Sequence, residues 1–196
     1  MMKSDFRIYI VTAVFILVPL VFWHSVFFPY TFVKTMVFYV LVEVACLIWL
    51  LGLCSKSQQN HENIPEKKSS VLPALAGPDF FSGMFSWFTP LHAAFAFFLL
   101  VMGITAYFGV DSTKSIWSDW ERMFGVITWL HFGVFFTILV SIFSSEQSRI
   151  IVLKCMIGAA VLISLHAIWQ GFATEDLATA TIGNAAYLSS YLVPMF

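Results

Sequence analysis

The chain has 196 residues, 60% of them hydrophobic and only 11% charged, with a net charge of −1. A water-soluble domain of this size carries about a quarter of its residues as charges. A chain with this composition cannot cover itself with polar surface in water, so it belongs in a bilayer. The charge balance argues neither way on nucleic acid, and no basic cluster or recognition motif points to it. The three cysteines, Cys46, Cys54 and Cys155, are odd in number, lie in or beside apolar runs and include no C-x-x-C. They read as small packing residues rather than a disulfide framework or a metal site.

Taken in chain order, the apolar runs predict an all-helical, multi-pass membrane protein. Five complete spans fall at 8–28, 32–53, 91–110, 123–143 and 150–171, and a sixth starts near 185. Each complete span is about 20 residues, enough for a ~30 Å hydrocarbon core at ~1.5 Å per residue. The first run, which begins at Ile8 and continues through Pro19 to Trp23, is too long for a signal-peptide core and lacks a small-residue cleavage pattern. It reads as a retained helix that Pro19 kinks. Residues 1–53 thus hold two helices, 54–90 a cytoplasmic loop and 91–196 the remaining helices, with loops on the outer side near 111–122 and 173–184. The loop has a polar, mobile first half containing His61. Its second half, around G-P-D-F-F-S-G-M-F-S-W-F-T-P, is aromatic and suits the inner-leaflet interface.

Orientation follows from Lys and Arg. With a cytoplasmic N-terminus, Lys3, Arg7, Lys56, Lys67, Lys68, Arg149 and Lys154 lie inside, and Lys34, Lys114 and Arg122 lie outside. The three outside cations oppose the bias and are therefore the ones to question. The chain stops at Phe196 inside an apolar run, which leads us to expect the N-terminal part of a larger membrane protein.

The stretch Phe108–His131, F-G-V-D-S-T-K-S-I-W-S-D-W-E-R-M-F-G-V-I-T-W-L-H, is a polar, Trp-rich loop leading into an apolar run. Arg122 stands at the mouth of that run. A guanidinium matches phosphate oxygens bidentately, so a lipid-linked phosphate or diphosphate is a natural ligand. The competing reading is an anchor that snorkels to headgroups. Asp111, Lys114, Ser115, Trp117 and Trp120 accompany it, and Trp at this depth also fits an ordinary aromatic belt. Lys34, opening the second span, is either an interfacial lysine or a second cation for the same anion.

Glu43 falls near the middle of the second span, where a carboxylate is costly and calls for a partner or a function. Lys34 is nine residues away, about half a helical rotation round, so it is not that partner. His131, at a depth within one turn of Glu43, is the better candidate, as a structural tie or as a proton relay. His24, His92 and His166 are scattered and no H-E-x-x-H is present, so no metal is expected. Gly183 and Asn184 read as a turn and a helix N-cap, with Glu175 and Asp176 upstream.

Three stretches together resemble one family. They are Phe28–Leu50, containing F-P-Y-T-F-V-K-T-M-V-F-Y-V-L-V-E; Phe108–His131; and I-W-Q-G-F at 168–172 followed by T-I-G-N-A-A-Y-L-S-S-Y-L. In order and spacing they are similar to the N-terminal half of the O-antigen ligase and polymerase superfamily, which includes bacterial O-oligosaccharyltransferases. Family members often have Gly where this chain has Val33, and Asn-Pro where it has Asn184-Ala185. The resemblance implies an inner-membrane glycosyltransferase of the C type, working without metal or other cofactor. Such an enzyme moves glycan from an undecaprenyl-diphosphate carrier at the periplasmic face to lipid A core, a growing polymer or a protein hydroxyl. Lys34 and Arg122 would stabilise the departing diphosphate, and Gly183-Asn184 would shape the cleft. The residues that activate the acceptor would lie beyond Phe196, so the chain alone would be inactive. The rival readings are a transporter or lipid-carrier flippase with Glu43 as coupling carboxylate, and a non-catalytic membrane subunit.

Overall fold

A computed structural model describes residues 2–23, 30–62, 89–119, 121–143, 145–174 and 179–193. Among them are seven helices and no strand: α1 (Met2–Leu20), α2 (Thr31–Glu62), α3 (Pro90–Tyr107), α4 (Ser112–Trp117), α5 (Val126–Ile142), α6 (Glu146–Thr174) and α7 (Ala185–Leu192). His24, the aromatic segment before Pro90, Trp120, Glu175 and Asp176 lie outside the described residues.

Among the described residues three helices are long and apolar enough to cross a membrane: Thr31–Gly52, Pro90–Tyr107 and Glu146–Ala173. This supports a membrane protein, but with three such helices, not the five complete spans and the start of a sixth that were expected. Ile8–Leu20 and Val126–Ile142 are apolar but shorter. The first run was expected to continue to residue 28, yet its helix ends at Leu20, one residue past Pro19. In the second run the opposite occurs. α2 passes its apolar part and continues to Glu62, into a segment expected to be mobile. Lys, Gln and Glu in that segment are good helix formers, and extending an existing helix avoids a new nucleation cost.

The packing order is α6–α1–α2–α5–α3, as the core contacts show. Ile8 and Val11 of α1 meet Ala45 and Trp49 of α2, while Val14 meets Phe38 and Val42, so α1 and α2 are antiparallel. Val152 joins the Ile8 cluster, and Leu20 packs with Ile163 and Ala167, so α6 runs parallel to α1. Tyr39 meets Thr128 and Glu43 meets His131, so α2 and α5 are parallel. Phe98 meets Trp129 edge to face while His92 packs on Phe136, so α3 opposes α5.

Lipid tails are as apolar as Leu, so these helices gain by close packing rather than by escape from water. The rings of Phe15, Phe38, Phe132 and Phe135 lie with centroids 4.9–5.8 Å apart at the α1–α2–α5 junction. Gly133 lets Phe95 approach: an added Cβ would stand 2.9 Å from that ring. Leu47, Leu51, Phe97, Leu100, Leu153 and Leu165 remain exposed, as a lipid-facing bundle requires.

Candidate functional site

These helix directions bring most of the candidate residues to one end of the bundle. The end of α1, the start of α2, α4, the start of α5 and the loop before α7 all lie there. At its centre is the carbonyl of Pro19. In a continuing helix this oxygen would accept the N–H four residues on, but α1 has ended and the group is orphaned. Lys34 Nζ donates to it at 3.1 Å and Thr181 Oγ1 donates at 2.8 Å. A cation at a helix C-terminus also opposes the negative end of the helix dipole. Lys34 is thus committed in part to the fold, with the other hydrogens of its ammonium left for further acceptors.

The loop that supplies Thr181 is held by Gln170 of α6. Its Oε1 accepts from the N–H groups of Thr179 at 3.1 Å and Ala180 at 2.7 Å, and its Nε2 donates to Thr179 Oγ1 at 3.2 Å. Gly183 closes the loop at φ +82°, and a Cβ there would lie 2.5 Å from the Tyr30 ring. Both the backbone conformation and the ring contact demand glycine. Asn184 caps α7 as expected, accepting from Ala186 N–H at 2.8 Å. Residues of the first and third stretches therefore interlock through Tyr30, Lys34, Gln170, Thr181 and Gly183. His166 lies beside them, against Phe22 and Trp169, its buried Nδ1 without a hydrogen-bond partner among the described residues.

The first part of the second stretch, up to Arg122, forms its own loop at the same end. Asp111 caps the short α4, accepting from Lys114 N–H at 3.0 Å, and Ser115 Oγ donates back to Asp111 O at 2.9 Å. Lys114 also pairs with Asp119 at 3.6 Å, both exposed. Trp117 is exposed. Asp111, Lys114 and Ser115 thus support the loop by capping and pairing. Arg122 follows in a turn and is exposed. Among the described residues its side chain meets no carboxylate.

The turn is firmly anchored. Met123 is buried with φ +53°, and its carbonyl accepts from Thr128 Oγ1, which in turn contacts Tyr39 OH at 2.5 Å. Gly125 lies against α4: an added Cβ would stand 2.2 Å from Ile116 O. Lys34, on α2, and Arg122, in the turn before the parallel α5, precede the Tyr39–Thr128 contact by five and six residues. They therefore share an end of the α2–α5 pair, Lys34 turned inward and Arg122 outward.

Glu43 and His131 lie deeper in the bundle, and the structure brings them together, Oε1 to Nε2, at 3.5 Å. His131 Nδ1 is 2.8 Å from Ile127 O, one turn back in its own helix, and the Tyr39 ring stacks on the imidazole at 4.1 Å. His92 instead closes on Thr89 at the start of α3. No group of three or more metal-ligating side chains occurs among the described residues. No family model, curated protein or solved structure matches the chain.

Sequence reasoning did not assign the roles of Gln170, Thr181, Pro19, Tyr39 and Thr128. Gln170 carried a local signal, as an amide near the end of an apolar run. Pro19 O and Thr181 carried none, because their roles exist only once α1 and the last loop meet.

Proposed function

We propose that this protein is the membrane part of a transferase that takes glycan from an undecaprenyl-diphosphate carrier. In this reading it crosses the bacterial inner membrane five times with its N-terminus in the cytoplasm, the two shorter helices spanning by local thinning of the bilayer. The observation that carries the proposal is the exposed Arg122 on its anchored turn, at the same end as Lys34 and the Gln170-held loop. A guanidinium carried on an anchored turn at a membrane surface suits a diphosphate because its planar fork of N–H donors matches the accepting phosphate oxygens. Asp111, Lys114, Ser115 and Trp117 maintain the loop that presents it, and Gly183 and Asn184 shape the neighbouring wall. The acceptor is lipid A core, a growing O-antigen polymer or a protein hydroxyl.

Binding of undecaprenyl diphosphate to the protein in nanodiscs tests this, with undecaprenol as control. Arg122→Ala is expected to weaken binding roughly ten- to a hundredfold, the loss of a charge-assisted contact worth about 1.5–3 kcal/mol. Arg122→Lys should recover part of it. Equal affinity for the diphosphate and the alcohol, or no effect of Arg122→Ala, rejects the proposal.

The Glu43–His131 contact favours a second reading, a carrier flippase or transporter coupled to an ion gradient. Its mark is gradient-driven passage of the lipid diphosphate across a bilayer, lost in Glu43→Gln but retained in Arg122→Ala.

A further inference from the structure

We infer that copies of this chain associate side by side in the membrane through Glu43 of one copy and Lys154 of the next, a contact independent of both readings above. Glu43 has 66% of its side chain open on the lipid-facing side of α2, with His131 on its other side. It stands twelve residues after Thr31 and nine before Gly52, the ends of its span. Those intervals are about 18 and 13 Å, too far for a glutamate side chain to reach the headgroups. A carboxylate so placed is costly in hydrocarbon unless a donor or a cation covers it. His131 takes one of its roughly four acceptor positions, which leaves room for a second partner.

Lys154 of α6 has the matching charge at the matching depth. Val152 packs in one cluster with Ala45 and Trp49, which sets the level of α6 against α2. α6 runs parallel to α1 and hence antiparallel to α2. Two residues past Val152, Lys154 lies about 3 Å further toward the end that holds Lys34. Glu43, two residues before Ala45 and six before Trp49, lies about 3–9 Å further in the same direction. The flexible four-carbon stem of lysine covers the difference. Lys154 is exposed, and α1 stands between α6 and α2 within one copy, so the two groups meet only between copies. Copies inserted the same way up keep the match of depth. The other described cations are less suited. Lys34 serves the Pro19 carbonyl, Lys114 pairs with Asp119, Arg122 lies in the loop, and Arg149 is five residues nearer the start of α6.

Setting Glu43 opposite Lys154 on antiparallel helices also aligns the side chains around them. Val40 falls opposite Ile157, Val44 opposite Leu153 and Leu47 opposite Ile150, and all six are exposed. Each stripe steps by four and three residues, the spacing of a helix–helix seam. The two charges flank it, where charged side chains set the choice of partner. Lipid tails are as apolar as these residues, so the stripes contribute close packing while the ion pair selects the partner.

The test uses the full chain in lipid bilayers with its native cysteines replaced. Chains carrying Val40→Cys under one tag are mixed with chains carrying Ile157→Cys under another, and a mild oxidant is added. A disulfide between the two tagged chains is expected. It should form at least about tenfold faster than one between Val40→Cys and Ile150→Cys, which this register holds about 10 Å apart along the helices. Adding Lys154→Met to the second chain should slow the cross-link at least about tenfold. Lys154→Arg, which keeps the charge, should retain it. No cross-link between copies, equal rates for the two cysteine pairs, or equal rates in Lys154→Met and Lys154→Arg overturns the inference. The last result is what a lysine that only snorkels to the headgroups would give. The first two are read with Glu43 and Lys154 intact and with substitutions at lipid-facing positions alone.

Discussion

Gln170 shows how one neutral side chain can hold a loop. Its carbonyl oxygen accepts two backbone N–H groups while its amide donates to a hydroxyl. Replacing it with Leu would leave the N–H groups of Thr179 and Ala180 without that acceptor, at about 1–3 kcal/mol each if they stay buried. Reversible unfolding in micelles should show Gln170→Leu markedly less stable than wild type. Gln170→Glu, which keeps the acceptor, should fall between them. Equal stability of the two variants would mean that the oxygen does not hold the loop.

At the level of elements, the distinctive feature is how α1 ends. Because α1 ends at Leu20, the Pro19 carbonyl has no helical N–H, and two other parts of the chain supply donors, Lys34 from α2 and Thr181 from the loop before α7. Because both serve one acceptor, either alone relieves much of the cost of burying it. Lys34→Met and Thr181→Val should therefore cost more together than the sum of the single variants, by at least about 0.5 kcal/mol. A double-mutant cycle on unfolding free energies measures this. Strict additivity would show that the two donors act independently. The second junction of this kind, Glu43 with His131, joins α2 to α5 through a pair of polar groups in otherwise apolar surroundings.

For the molecule as a whole, the helix directions make a topological prediction. Asp111 and Glu121 belong to the end that holds Pro19 and Lys34, and Glu146 begins α6 at the opposite end. In a chain with its native cysteines replaced, Asp111→Cys and Glu121→Cys should be labelled by an impermeant maleimide from one side of sealed vesicles. Glu146→Cys should be labelled only from the other side. Labelling of all three from the same side would contradict the arrangement of α3, α5 and α6 described above.

The sequence by itself determined that this is a helical membrane protein and the approximate position of its longer helices, though not the short α4. Composition and the length of apolar runs depend on transfer into lipid, which each residue contributes locally. The Asn184 cap was legible for the same reason, since a cap acts within a few residues. The contact of Glu43 with His131 was within reach because depth along a span can be counted from its ends. Where α1 stopped and how far α2 continued was not legible, since Pro19 ends its helix only with outside donors for its carbonyl. Likewise, Lys34 read as an interfacial lysine or a second cation for an anion until the end of α1 was placed beside it. Tertiary structure alone decided which cation turns inward and which remains exposed, because that choice depends on contacts between groups as far apart as Pro19 and Thr181.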